Sequence, residues 1–441
     1  MLKVSSLKTF TRAKGQAKNW IEWIFCLFIV SFFSLSAVIP GGATRFFHLL
    51  VAASLFFPLL QHTDLPKSKI KLITFGFLLY ILSALLSLVN TSNWHTGDWG
   101  FGRYYRFLFI VPVIIFTIKA RLSAYRALLV GALIGSAIMA FFSFYQMDVL
   151  KALRVGLGKS LNPNRYGEIG FVNSIIIAIA LFRFPLKTYF RVMLLCGFAL
   201  SIFAGLSSGS RGAFLAFIAT CGFLTWELTD RFSKKRRAAF LGLVGLISMG
   251  FFAALLSISP FWKQHLSRLL VEPKEYFSHN YDIEHSSIHV RMALAQGGLL
   301  IWKNHPFIGT GLGDVAHDMR ELVREGQLPV NMTWGRLHNS YIDVLAKSGL
   351  IGFFCFLIGV LFLPFRMFYQ AYSELPRYPA KTCASLSGMA VIIFFAVDAG
   401  ASSCFFNKGV LVFLISIALL LGISLRPESR LLGPNTVENP G

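Results

Sequence analysis

The stretch RLHNSYIDVLAKSGLIGFFCFL, residues 336–357, passes from polar to strongly apolar within a few residues. Its apolar part continues to residue 364, giving a run long enough to cross a hydrocarbon core of about 30 Å. A histidine, His338, stands just ahead of that run, with Asn339 and Ser340 between them and Arg336 two residues before. Which fold places such a polar group at the head of an apolar helix decides how the rest of the chain is read.

The same kind of run recurs along all 441 residues, of which 55% are hydrophobic and only 14% charged. Apolar segments at 21–39, 43–61, 70–89, 104–118, 123–145, 165–184, 189–206, 211–229, 239–259, 341–364, 382–401 and 409–425 predict an all-α polytopic membrane protein. The reading is of about twelve transmembrane helices and one large periplasmic loop subdomain, 260–340. It divides the chain into spans one to nine (1–259), the loop (260–340), and spans ten to twelve with a cytoplasmic tail (341–441). The basic, then apolar, start resembles a signal peptide. No small-residue cleavage site follows Ile39, and the expectation is an uncleaved first helix.

A formal net charge of +22 invites a nucleic-acid reading, but the basic residues sit in short segments between apolar runs, where topology accounts for them. With the N-terminus inside, 24 Lys and Arg fall on the inner side and 10 in or beside the short outer segments. Another 8 lie in 260–340, too long a loop to be weighed by this rule. Both termini are therefore expected in the cytoplasm, and 260–340 on the extracytoplasmic side. The six cysteines lie in or at the edges of apolar runs without paired spacing and read as packing residues.

Ten outer basic residues still exceed what topology predicts, and their positions carry information. Arg103 and Arg106, Arg165 in LNPNRYGEIG, and Arg211 in SSGSRGAF stand at the outward N-termini of apolar helices. A cation there opposes the helix macrodipole by a few tenths to ~1 kcal/mol unless an anion is present. Free backbone N–H groups with a guanidinium fork make a phosphate site, although any one arginine of this kind could instead reach lipid phosphates. Eight of the ten histidines also fall on the outer side. His338, at a positive helix end that favours its neutral form, is a candidate general base near neutral pH. Asn339 or Ser340 can cap the helix beneath it. Asp398, ionisable within an apolar run, is a functional candidate that would pair with an outer Arg or His.

Other motifs carry less. His285 and His289 are four apart, which suits two metal ligands on a helix face, but no H-E-x-x-H pattern or third ligand accompanies them, and no metal is expected. GTGLGD, 309–314, mimics a nucleotide loop without its strand–turn–helix context, and reads as a tight turn after His305-Pro306. GALIG, 131–135, suits close helix packing.

The motifs RMALAQGGLLIWKNHPFIGTGLGD (291–314), LHNSYIDVLAKSGLIG (337–352) and SGSRGAFLA (208–216), in this order, resemble the O-antigen ligase and polymerase superfamily across 205–360, and the hydropathy profile does so along the whole chain. The resemblance implies a metal-independent, cofactor-free glycosyltransferase. It would move O-antigen polysaccharide from undecaprenyl pyrophosphate to lipid A–core oligosaccharide at the periplasmic face, inverting the anomeric centre. The family's essential histidine falls on His338 and its essential arginines on Arg211 and Arg291. Arg291 comes from the resemblance alone. Arg165, Arg103, Arg106, Asn339 and Asp398 complete the expected substrate-binding set. Its partners would be the two lipid-linked glycans and membrane lipids, without nucleic acid.

A polymerase or a protein O-oligosaccharyltransferase would use similar motifs, although about 440 residues without a large C-terminal domain favour a ligase over the protein-modifying branch. An anion or polysaccharide transporter would place its charges near the bilayer midplane rather than at outer helix ends. The topology is open to direct test. On a cysteine-free background, a membrane-impermeant thiol reagent added from outside should label a cysteine placed at position 279 and leave one at 234 unlabelled. The reverse pattern would remove every role assigned to the outer residues.

Overall fold

The computed structural model describes residues 20–60, 64–95, 101–150, 152, 154–156, 162–229, 235, 287–329, 335–374, 378–406 and 409–427. Their regular structure is all helical, with no strand among them. Helices α1 (Trp20–Leu35), α2 (Gly42–Ser54), α3 (Lys67–Ser87), α4 (Arg106–Lys119), α5 (Ala124–Phe144), α6 (Pro163–Arg183), α7 (Thr188–Ser207) and α8 (Arg211–Thr229) precede the large insertion. Within the insertion lie α9 (Ser287–Asn304) and α10 (Val315–Arg324). They are followed by α11 (Ser340–Glu374), α12 (Pro379–Ala399) and α13 (Gly409–Ser424).

Among the described residues, seven helices are long and apolar enough to cross a membrane: α2 with the 3₁₀ turn after it, α3, α5, α6, α7, α11 and α12. Two shorter apolar helices, α1 and α13, accompany them. Helices lie over eleven of the twelve expected segments, while 239–259 falls outside the described residues. Boundaries differ where local chemistry intervenes. The second segment leaves the α-helix after Ser54, and a 3₁₀ turn with Pro58 near its start finishes it. The tenth runs ten residues beyond its expected end because a π-helical turn, Leu357–Phe362, carries the helix on to Glu374.

α13 is buried along its whole length, from Gly409 to Ser424, which an all-apolar helix requires when it sits at the centre of a bundle. It packs on α4 and α12, and α12 reaches α8, α6 and the C-terminal part of α11. α5, α6 and α7 pack on one another, and α11 lies on α3 and α9. The glycines of GALIG do serve close packing: a Cβ at Gly131 would meet the Val30 backbone at 3.0 Å, and one at Gly135 the Phe33 carbonyl at 2.3 Å. Large apolar side chains such as Phe75, Leu82, Phe141 and Leu195 face outward, as a surface in lipid needs.

α9 and α10 enclose a small core of their own. Leu294, Ile301, Met319 and Leu322 are buried with Leu328, Leu337 and Ala346. That core docks the insertion on the first turns of α11.

The two parts are also joined through main chain. α11 breaks at Gly349 (φ 61°, ψ −163°), leaving backbone groups without helical partners inside an apolar segment. The 306–311 loop supplies them. The N–H groups of Leu350 and Ile351 donate to the carbonyls of Pro306 and Phe307 at 2.9 and 3.1 Å. Those of Thr310 and Gly311 donate to Ala346 and Lys347 at 2.9 and 3.2 Å. GTGLGD is thus a tight turn, with Gly309 and Gly311 at φ 72° and 110°. Its end is tied to the chain after α3: Asp314 accepts from the N–H groups of Ser92 and Asn93 at 2.6 and 2.8 Å, and Asn90 donates its amide to the Gly309 carbonyl at 2.8 Å.

This joint yields a sharp contrast between two glycines. A Cβ at Gly349 would fall 2.2 Å from the Phe307 carbonyl oxygen, whereas one at Gly326, also at positive φ, would meet nothing within 4 Å. Gly349→Ala should cost about 2–4 kcal/mol from backbone strain plus the clash, and Gly326→Ala about 1 kcal/mol from strain alone. Thermal unfolding of the purified protein in detergent would measure both. Equal losses would deny the joint its structural role.

Candidate active site

The helix ends that carry the sequence-expected residues meet at one end of the bundle. α6 begins with Asn162, whose side chain accepts from the Asn164 N–H at 2.9 Å, and with Pro163 in the first position. That cap places Arg165 in the first turn. One turn on, Glu168 is 1% exposed, and neither carboxylate oxygen has a hydrogen-bond partner among the described residues. It faces Asp398, at the end of α12, and lies within reach of Arg165.

The SSGSRG segment turns between α7 and α8 at Gly209 (φ 61°). Ser208 accepts from the Ser210 N–H at 3.1 Å, and Arg211 opens α8. Gly212 allows the end of α12 to come close, since a Cβ there would sit 2.9 Å from Asp398 Oδ1. The Ser402 hydroxyl donates to Asp398 Oδ2 at 2.6 Å. Arg291, from α9, lies within electrostatic range of Asp398.

His338 stands before α11 with φ 52°, the one non-glycine residue at positive φ among those described. Asn339 caps the helix: its side-chain oxygen accepts from the N–H groups of Tyr341 and Ile342 at 3.0 and 3.2 Å, and its amide donates to the Gly400 carbonyl at 3.0 Å. Both ends of the Asn339 amide are therefore engaged in the scaffold. Ser340 donates its hydroxyl to the Ser402 carbonyl at 2.9 Å, pinning the start of α11 to the segment after α12. Burial pushes the His338 imidazole below the ordinary histidine value, Arg291 and Arg336 push it further, and Asp343 pulls it back. The direction is the one expected from sequence. Its leading cause is burial.

The charges form one continuous neighbourhood. Arg154 lies within electrostatic range of Arg211, and Arg291 within range of Arg154, Asp398 and His338. On the other side of His338, Arg336 repels Arg165 and Arg103, and Arg103 adjoins Arg106. All eight expected residues thus belong to one region, His338 lying between two groups of arginines. Arg154 is tied there by donating from Nε to the Ser208 carbonyl at 3.1 Å and from its guanidinium to Asn164 at 3.2 Å.

Sequence reasoning missed Arg154, Glu168, Asp343 and Lys347 and gave Arg336 no role. The rule that selected Asp398, an ionisable residue within an apolar run, applies equally to Glu168, Asp343 and Lys347. Among the described residues no three His, Cys, Asp or Glu side chains gather as metal ligands. His289 is buried, and His285 lies outside those residues.

The fold is that of a membrane protein whose guanidinium groups gather at one end of an apolar bundle. Residues 196–357 match the family model described as O-Antigen ligase, which supports the O-antigen ligase family for this chain. The matched stretch carries Arg211, Arg291 and His338, and members of the family are membrane glycosyltransferase-like ligases and polymerases. The chain is also similar to an uncharacterized protein of Haemophilus influenzae, 24% identical over 350 residues that span 76% of this chain and 82% of that one.

Arg211→Ala and Arg291→Ala should each weaken binding of a pyrophosphate-bearing polyprenyl lipid by roughly 10- to 100-fold, the scale of a lost charge-assisted hydrogen bond. Lysine should restore little, because it keeps the charge and loses the fork. Native mass spectrometry of the detergent-solubilised protein would read this. Near-normal binding by both lysine variants would indicate a diffuse field in place of a two-pronged clamp.

Proposed function

We propose that the chain is an O-antigen ligase, transferring polysaccharide from undecaprenyl pyrophosphate to lipid A–core oligosaccharide at the periplasmic face of the bacterial inner membrane. The observation that carries the reading is the electrostatic proximity of His338, in the turn before α11, and Arg291, in α9, both in the stretch matched by the family. The site joins a base held neutral by its surroundings to a group able to take growing negative charge.

In the proposed reaction the acceptor sugar hydroxyl gives its proton to His338 as its oxygen attacks the anomeric carbon of the donor. The bond from that carbon to the pyrophosphate oxygen breaks, and its electron pair leaves with undecaprenyl pyrophosphate. Arg211 and Arg291 stabilise the charge arriving on the leaving oxygen. A single displacement inverts the anomeric configuration. Asp398 faces Arg291 and Glu168 lies near Arg165, an arrangement that supports their service as orienting carboxylates for these two cations. Arg103 and Arg106 continue the cationic surface along which anionic parts of either substrate would lie. Asn339 serves the site by holding the turn that presents His338.

Two measurements test the reading. Deleting the gene should remove the whole long-chain lipopolysaccharide ladder while carrier-linked polymer persists. A single-repeat band would mark a polymerase instead. With the purified enzyme, His338→Ala and His338→Gln should each lower the transfer rate by about 10²-fold or more, the usual scale for a lost general base. Donor binding should survive in both, since the arginines remain. If binding falls in step with rate, His338 is a binding residue and Asp398 becomes the next candidate for the base.

A further inference from the structure

The proposed mechanism leaves unused a buried ion pair in the first two turns of α11. Asp343 is fully buried and Lys347 is 5% exposed. The Lys347 ammonium donates to Asp343 Oδ1 at 2.9 Å and lies 4.2 Å from the centroid of the Phe406 ring. The Ser403 hydroxyl donates to Asp343 Oδ2 at 2.5 Å. A third donor is the backbone N–H of Leu337, at 3.3 Å from Oδ1. A buried ion pair adds little to stability compared with apolar residues of the same volume, so its place beside the candidate base requires another account.

The third hydrogen bond provides one. Leu337 immediately precedes His338, whose left-handed backbone costs about 1–2 kcal/mol and persists only where its surroundings fix it. On one side of His338 the chain is tethered by Asp343. On the other it is tethered by the Asn339 cap and its bond to Gly400. Among the described residues, the charged groups facing His338 are Arg291 from α9, Arg336 from its own segment, and Asp343 from the helix that follows it. Arg103, ahead of α4, reaches Arg336 and Asp343. Of these described groups, the two cations oppose proton uptake by the imidazole and the anion favours it.

We propose that Asp343, clamped by Lys347 and Ser403, is a positioning residue for His338. Its carboxylate fixes the turn that aims the imidazole and supplies the negative charge that keeps it basic among the arginines. The task of the base rests on the ligase reading, whereas the backbone tether and the charge relation stand without it.

The test uses the full-length protein in detergent and two independent readouts. Diethyl pyrocarbonate modifies neutral imidazole, so peptide-level mass spectrometry of carbethoxylation at His338 against pH reports its titration. The double variant Asp343→Asn with Lys347→Met removes both charges without leaving either buried alone. Its midpoint should fall by about one pH unit, the scale of a nearby opposite charge. Lys347→Met alone should not lower it. In transfer from undecaprenyl pyrophosphate-linked polysaccharide to lipid A–core, the double variant should lose kcat about tenfold with the donor KM unchanged, through a weaker and less well-aimed base. Ser403→Ala, which keeps both charges, should lower kcat at an unmoved midpoint. An unmoved midpoint in the double variant, a loss confined to KM, or full activity in Ser403→Ala each overturns the proposal. A midpoint that falls in a protein whose wild type performs no transfer supports the charge relation and overturns the ligase reading.

Discussion

The break of α11 at Gly349 organises the end of the bundle where the cationic residues gather. A helix interrupted inside apolar surroundings leaves N–H and C=O groups that lipid cannot satisfy. The 306–311 loop answers them on both sides of the break, donating to Ala346 and Lys347 and accepting from Leu350 and Ile351. That main-chain joint seats the insertion on α11, and with it α9 and Arg291. Asp314 and Asn90 extend the joint to the chain after α3. Arg291 lies in α9 and His338 in the turn before α11, and this seam joins the two elements.

Above the joint the site is assembled from helix ends. Asn162 with Pro163 at α6, the Gly209 turn at α8, and the Asn339 cap at α11 each place a basic or titratable side chain in or beside a first turn. The end of α12 fills the gap between them with Asp398, and Gly212 is what lets it approach the start of α8. Helix ends suit anionic ligands because unpaired backbone N–H groups and the macrodipole act together. The carboxylates of Glu168, Asp343 and Asp398 are buried in the same region.

Much of this was legible in the sequence, for physical reasons. Apolar runs had to become helices, and glycines four apart had to let backbones approach, as Gly131 and Gly135 do against α1. Arginine at a helix start is unfavourable enough to stand out, and so Arg103, Arg106, Arg165 and Arg211 could be picked before any coordinates. Arg291 could not be picked on these grounds, since its distinction is that the fold brings it within electrostatic range of Asp398 and His338. Arg154, in a short connection, was invisible for the same reason. Glu168 and the Asp343–Lys347 pair were readable by the rule that flagged Asp398, but only the fold shows what they face. The Gly349 break had no local signature, because its hydrogen-bond partners lie some forty residues away in the chain.

The crowding of guanidinium groups bears on how a catalytic cycle at this site would end. In the proposed transfer the donor enters with its terminal phosphate esterified to sugar, and the departing carrier leaves with that phosphate free. The carrier therefore departs with more negative charge than the donor brought, and an electrostatic clamp holds it more firmly than the donor. In that proposed cycle, strong pairing with the leaving group would speed bond cleavage and slow departure, and carrier exit would be the bottleneck of turnover. A reaction that strips phosphate from the freed carrier would then drain the product that most strongly occupies the site, and the two activities would be kinetically linked without touching.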